Sequence, residues 1–127
     1  MASTQYNKAK GREWENDVVE WFSEFFGTGV ERRRLQGIAD RGDIAGLKFL
    51  VVECKNEQQW NVTKWLKETQ SEVDNEVLRT KDPRTLGVVF KRIKGKPEVD
   101  DCAVIMDPLT FLAFYKAYLL HMEEREA

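Results

Sequence analysis

Apolar residues recur at helical spacing over residues 8–26, where Trp14, Val18, Trp21, Phe22 and Phe25 share one stripe and predict an amphipathic helix. Gly27-Thr28-Gly29 ends it, as glycine commonly does past a helix C-terminus. Residues 30–35 then read as a short strand, and residues 36–42 as a loop punctuated by glycine. Residues 49–52 are apolar at both side-chain parities, the pattern of a strand covered on both faces. A second helix is expected over 60–78, with an imperfect stripe of Trp60, Thr63, Trp65, Leu66, Thr69, Val73 and Val77. Residues 86–90, running on into 91–94, and residues 102–106 read as further strands. Asp107-Pro108 opens a last helix, Asp as N-cap and Pro in the first turn. Its residues Phe111, Leu112, Phe114, Tyr115, Tyr118 and Leu119 are expected to pack partly on the sheet, leaving the rest to pair subunits. The pattern predicts one α/β domain over residues 1–127, with a central mixed β-sheet of four to five strands flanked by the helices.

The buried run breaks into Glu53-Cys54-Lys55, which sets a carboxylate and an ammonium on one face at the mouth of a strand. Such charges are costly unless paired or liganded. Gly46 marks a turn, so residues 43–45 and 49 onward should form a hairpin. A two-residue turn sets Asp43 opposite Leu50, away from Glu53; a three-residue turn over Gly46, Leu47 and Lys48 sets it opposite Val51, on the face of Glu53 and Lys55. In the second case the carboxylates lie roughly 7–8 Å apart at Cα and can share a cation. Hard oxygen ligands suit Mg²⁺, with Mn²⁺ as a substitute, and water and phosphate oxygens completing the shell. Such an ion lowers the pKa of bound water, and Lys55 would stabilise developing negative charge. The plainer reading is a solvated hairpin with Lys55 as a salt-bridge partner; the apolar run beneath the charges favours the site.

Asp43 with Glu53-Cys54-Lys55 resembles the signature of the PD-(D/E)XK nucleases, and Lys10-Gly11-Arg12-Glu13-Trp14-Glu15 resembles the K-G-x-x-x-E motif of archaeal-type and phage Holliday junction resolvases. The likeness spans most of the chain. It implies a restriction-endonuclease-like fold, a Mg²⁺-dependent endodeoxyribonuclease acting on four-way junctions, and a homodimer in the service of DNA recombination and repair. It also implies a metal ligand on the first helix at Glu15, since Glu13 lies roughly 200° around that helix from it. The main-chain carbonyl of Cys54 joins the implied ligands, and a polar residue of the second helix, Gln70, is expected near the site. A phage protein working in the host cytoplasm fits the compact size.

Net charge is −2, so nucleic-acid binding needs local patches. Residues 1–12 carry three basic groups and no acid, residues 31–55 six basic groups against four acids, and residues 81–96 six against one. The candidate DNA contacts are therefore Lys10, Arg32, Arg33, Arg34, Arg41 in the 36–42 loop, Lys91 and Arg92. No apolar run reaches the length of a membrane span. The first residues lack the apolar core of a secretory signal. Two cysteines make no disulfide framework, so a reducing cytoplasm is expected, although a bridge between subunits at Cys102 is conceivable. His121 is the only histidine, which disfavours Ser-His-Asp and zinc chemistry. The competing functions are a restriction- or repair-type nuclease on linear duplex and a catalytically silent DNA-binding module.

Overall fold

A computed structural model describes residues 4–33 and 42–127. Its elements are α1 (Thr4–Phe26), β1 (Glu31–Arg32), β2 (Ile44–Ala45), β3 (Leu50–Lys55), α2 (Val62–Thr80), β4 (Leu86–Lys91), β5 (Ala103–Ile105) and α3 (Pro108–Glu126). The fold is mixed α/β. β3 and β4 run parallel, with α2 as the crossover between them, and β5 is antiparallel to β4, giving the order β3-β4-β5. The expected sheet of four to five strands is divided among the described residues: β1 and β2 form a separate antiparallel pair.

The division has a local cause. The edge of β2 bonds to β1, in the register Glu31 with Ala45 and Arg32 with Ile44, while a single main-chain hydrogen bond, Asp43 N–H to Val52 O at 2.9 Å, ties this segment to β3. The hairpin expected over 43–55 is therefore not a continuous ladder, and neither turn length describes it. Phe49 lies in a turn at φ +66° rather than in the strand, and Leu50 N–H bonds back to Leu47 O at 3.3 Å. Cations lie over its ring on two sides: Lys48 Nζ at 5.0 Å from the centroid and the Arg84 guanidinium at 4.4 Å.

α1 covers one sheet face. Trp14, Val18 and Phe22 pack with Val30, Ile44, Val52, Val88 and Phe90. The Trp14 indole N–H donates to Phe90 O at 3.0 Å, whereas the equally buried Trp65 indole finds no such acceptor among the described residues. Phe25, expected on this stripe, is exposed because the helix outruns the sheet. α2 covers the other face through Trp65, Thr69 and Val73, capped by Asn61, whose side chain accepts from Lys64 N–H. Trp60 precedes this helix and is half exposed. Close approach of α2 requires glycine at position 87, where a Cβ would stand 2.6 Å from Val73 Cγ2 and 2.7 Å from Thr69 Cγ2.

Asp107 caps α3 as expected, accepting from Thr110 N–H at 2.7 Å with Pro108 in the first turn. The expectation that this helix packs on the sheet is not met. No residue of α3 is buried. Its apolar side chains are spread around the helix instead of forming a stripe, so no single face can be covered by one sheet.

Gly87→Ala should destabilise the protein by about 1–3 kcal/mol through overpacking. At Gly11, within α1, a Cβ meets nothing within 4 Å. Gly11→Ala should therefore stabilise by roughly 0.5–1 kcal/mol. Urea denaturation of both variants checks the α2–sheet spacing; equal and small effects would contradict it.

Candidate metal and phosphate site

β3 is an edge strand, and the candidate side chains gather at its open side. Alternation sends Val52 and Cys54 toward α1 and Val51, Glu53 and Lys55 toward α2. Asp43 lies beside that edge, held by three hydrogen bonds. Its N–H donates to Val52 O at 2.9 Å, its carbonyl accepts from Arg33 N–H at 2.7 Å, and its Oδ2 accepts from Cys54 N–H at 2.7 Å. Gly42 makes this approach possible: it sits at φ +98°, and a Cβ there would meet Val51 Cγ1 at 2.8 Å.

Of the four expected catalytic residues, Asp43 neighbours both Glu53 and Glu15 here, the two reaching it from opposite faces of β3. Glu53 is 6% exposed and in hydrogen-bonding contact with the carboxyl groups of Glu72 and Asp43. No backbone or basic donor reaches its buried Oε2. Burial first, then the hydrogen bonds to Glu72 and Asp43 and the charges of both, pushes its pKa up to about 12. Glu15 approaches from α1 on the opposite side of the strand, while Glu13 is exposed. Burial and then the Asp43 charge raise the Glu15 pKa to about 7, against the pull of Arg32 and Arg12.

Lys55, the fourth, is engaged elsewhere. Its ammonium donates to Glu68 Oε2 at 2.9 Å, with Glu57 at 4.0 Å. Burial opposes its charge, but the Glu68 hydrogen bond and the charges of Glu53, Glu68 and Glu57 outweigh that and hold its pKa above the usual value. Cys54 is partly buried against the α1 core, its thiol pKa raised chiefly by desolvation, then by Asp43.

The second-helix residue that reaches the cluster is Glu72, not Gln70, which is exposed and bonded to Asp74 at 2.9 Å. Glu68 and Glu72 are one helical turn apart and meet Lys55 and Glu53, two residues apart on β3; the two spacings, about 6 Å along a helix and about 6.6 Å along a strand, match. The signal was present in the sequence: Glu72 lies seven residues from Trp65 and beside Val73, an acid within an apolar stripe.

Of the candidate DNA contacts, Arg32 stands at the rim with Nη1 3.7 Å from Glu15 Oε2. Arg33 points differently, Nη2 reaching Ile44 O at 3.4 Å. Lys10, Lys91 and Arg92 are close enough for their charges to interact. Lys91 is buried rather than presented to solvent: it donates to Arg92 O and lies under the Trp60 ring, 5.1 Å from its centroid. Burial, then Lys10, lowers its pKa. Arg34, Arg41 and the rest of the 34–41 loop lie outside the described residues.

All the donors are hard oxygens, and Glu53 Oε2 is a buried acceptor without a cationic or N–H partner, so the set suits Mg²⁺ or Mn²⁺ chemically. Among the described residues no three His, Cys, Asp or Glu side chains already form a chelating group. A shell built on Asp43 and Glu53 would draw its remaining oxygens from water, the Cys54 carbonyl and substrate, a common arrangement for Mg²⁺. The chain matches no family model, no curated protein and no solved structure.

Glu53 retains its proton in the folded protein but ionises near pH 4.5 when unfolded. The folded state therefore binds more protons above that pH, so stability is fully present below it and declines as pH rises toward the folded pKa, by at most about 1.4 kcal/mol per pH unit per proton. In EDTA, wild type should lose stability between pH 5 and pH 8 more steeply than Glu53→Gln. Parallel slopes in urea denaturation would contradict the protonated carboxyl.

Proposed function

We propose that the chain is a Mg²⁺-dependent endodeoxyribonuclease of the PD-(D/E)XK type that nicks branched DNA such as four-way junctions. The observation that carries this reading is the convergence of Asp43 and Glu53, with Glu15 and Glu72, on one open strand edge beside a lysine. Structural carboxylates are ordinarily paired with cations; Asp43, Glu53 and Glu72 face one another, while Glu15 stands 3.7 Å from Arg32.

Asp43 and Glu53 would hold the ion, with Glu15 and the Cys54 carbonyl completing its protein side. When bound, the ion supplies charge neutralisation at the scissile phosphate and a water acidified toward hydroxide. The chain's own groups do the rest. Glu53 must release its proton before it can act as a ligand. Lys55 remains cationic, and its exchange from Glu68 to a phosphate oxygen stabilises charge developing at phosphorus. Arg32 at the rim and the Lys10–Arg92 patch hold the DNA backbone, reading shape rather than bases. Two symmetric nicks in a junction call for two copies of the site related by a two-fold axis, hence a homodimer. Free Cys54 and Cys102 fit work in a reducing cytoplasm; no helix among the described residues is long and apolar enough to cross a membrane.

The test is nicking of a synthetic four-way junction and of linear duplex of the same sequence, in Mg²⁺ and in EDTA. Junction-selective, EDTA-sensitive nicking is expected, reduced at least about 100-fold by Asp43→Asn, Glu53→Gln and Lys55→Ala, with junction binding retained. Equal cutting of linear duplex would point to a restriction- or repair-type enzyme. Binding without cutting under all conditions would leave a silent DNA-binding module. Arg32→Ala should flatten the log–log salt dependence of binding by about 0.9 per lost phosphate contact; an unchanged slope would remove Arg32 from the DNA face.

A further inference from the structure

α3 carries eight large apolar side chains in the open: Leu109, Phe111, Leu112, Phe114, Tyr115, Tyr118, Leu119 and Leu120, each 40–78% exposed. Together they present on the order of 800 Å² of surface, the area one partner contributes to a standard stable interface. A helix apolar on all sides belongs inside something. The molecule also has an unfilled apolar groove of about 570 Å³ between α2 and the start of β4, walled by Leu66, Val73, Val77, Leu78 and Leu86. Leu109 and Thr110 stand at its rim, so α3 departs from a groove that it does not fill.

We propose that α3 is an exchange arm: in a two-fold dimer, the α3 of each copy lies in the α2–β4 groove of the other. This deepens, and rests on, the homodimer part of the function proposed above, but not on DNA cleavage. A second copy is the occupant that solves both problems at once, because a two-fold axis brings each copy's bare helix to the other's empty groove and the contact closes without further growth. Lys116 is the only basic residue of α3 before His121, and Asp74 lies in the groove wall to receive it. The groove opens at the Leu86 end of β4, while Lys55 pairs with Lys91 at the other end, about 17 Å along the strands. Dimerisation there leaves the carboxylate edge free.

Sedimentation equilibrium of the full chain at micromolar concentration should give twice the monomer mass of 14.8 kDa. A species of monomer mass throughout overturns the proposal. Phe111 and Leu78 are 58% and 67% exposed, so Phe111→Glu and Leu78→Glu should leave the monomer folded, as circular dichroism checks. Each should weaken dimerisation at least about tenfold. Mixed together they should recover heterodimers, since one intact arm then meets one intact groove. If Leu78→Glu pairs like wild type, or the mixture stays monomeric, α3 packs on something other than the groove and the exchange is wrong. Cleavage is scored separately: a dimer that never nicks sinks the nuclease reading alone, and a nicking monomer sinks this one alone.

Discussion

Burying the Glu53 carboxyl beside Asp43 and Glu72 works against folding, and the surrounding elements are arranged to bear it. Three elements meet around this strand. α1 brings Glu15 to one side of β3, α2 brings Glu72 to the other, and two main-chain hydrogen bonds plus one accepted by its own carboxylate fix Asp43 between them. The stabilising burial lies elsewhere: Trp14, Val18 and Phe22 against one sheet face, and Trp65 and Val73 against the other. Burial, then the facing carboxyls of Glu72 and Asp43, raises the Glu53 pKa. In the proposed site a bound cation would take the place of the Glu53 proton.

The same logic explains why Lys55 pairs with Glu68 and not with Glu53. Glu53 is enclosed with Glu72 and Asp43, whereas the partly exposed Glu68 comes within 2.9 Å of the ammonium. In the proposed catalytic state the charge on Glu53 would be taken up by the metal, leaving Lys55 to choose between Glu68 and substrate phosphate. Arg32, now beside Glu15, faces a similar choice.

Much of the fold was legible in the sequence because it depends on local signals. The stripe of Trp14, Val18 and Phe22, the doubly apolar run ending at Val52, and the Asp107-Pro108 cap each correspond to an element of the structure. The strand pairing was less legible. Whether residues 43–45 bond to β3 or to β1 depends on where Arg33 N–H finds its acceptor, and no periodicity records that. Glu15 was named from the family likeness, and Asp43 and Glu53 from motif spacing; the structure sets Asp43 beside each of the other two. Gln70 was the wrong residue of α2 because its choice rested on family likeness; facing is decided by the stripe, which selects Glu72. Lys91 was misread as a surface cation, since nothing in a basic run says which member Trp60 will cover. The bare α3 was foreseen only in part: some of it was expected to be left off the sheet, but none of it is buried, and a helix apolar on all sides carries no stripe to say how much a sheet will cover.

If Asp43 and Glu53 hold a hard cation as proposed, the Glu53 carboxyl must lose a proton to bind it. Calorimetric titration of the protein with Mn²⁺ at pH 7, in two buffers of different ionisation enthalpy, measures both events without DNA or turnover. The account predicts saturable binding with release of about one proton per ion, and loss of both in Glu53→Gln. Binding with no buffer dependence, or binding of equal strength in Glu53→Gln, would contradict it.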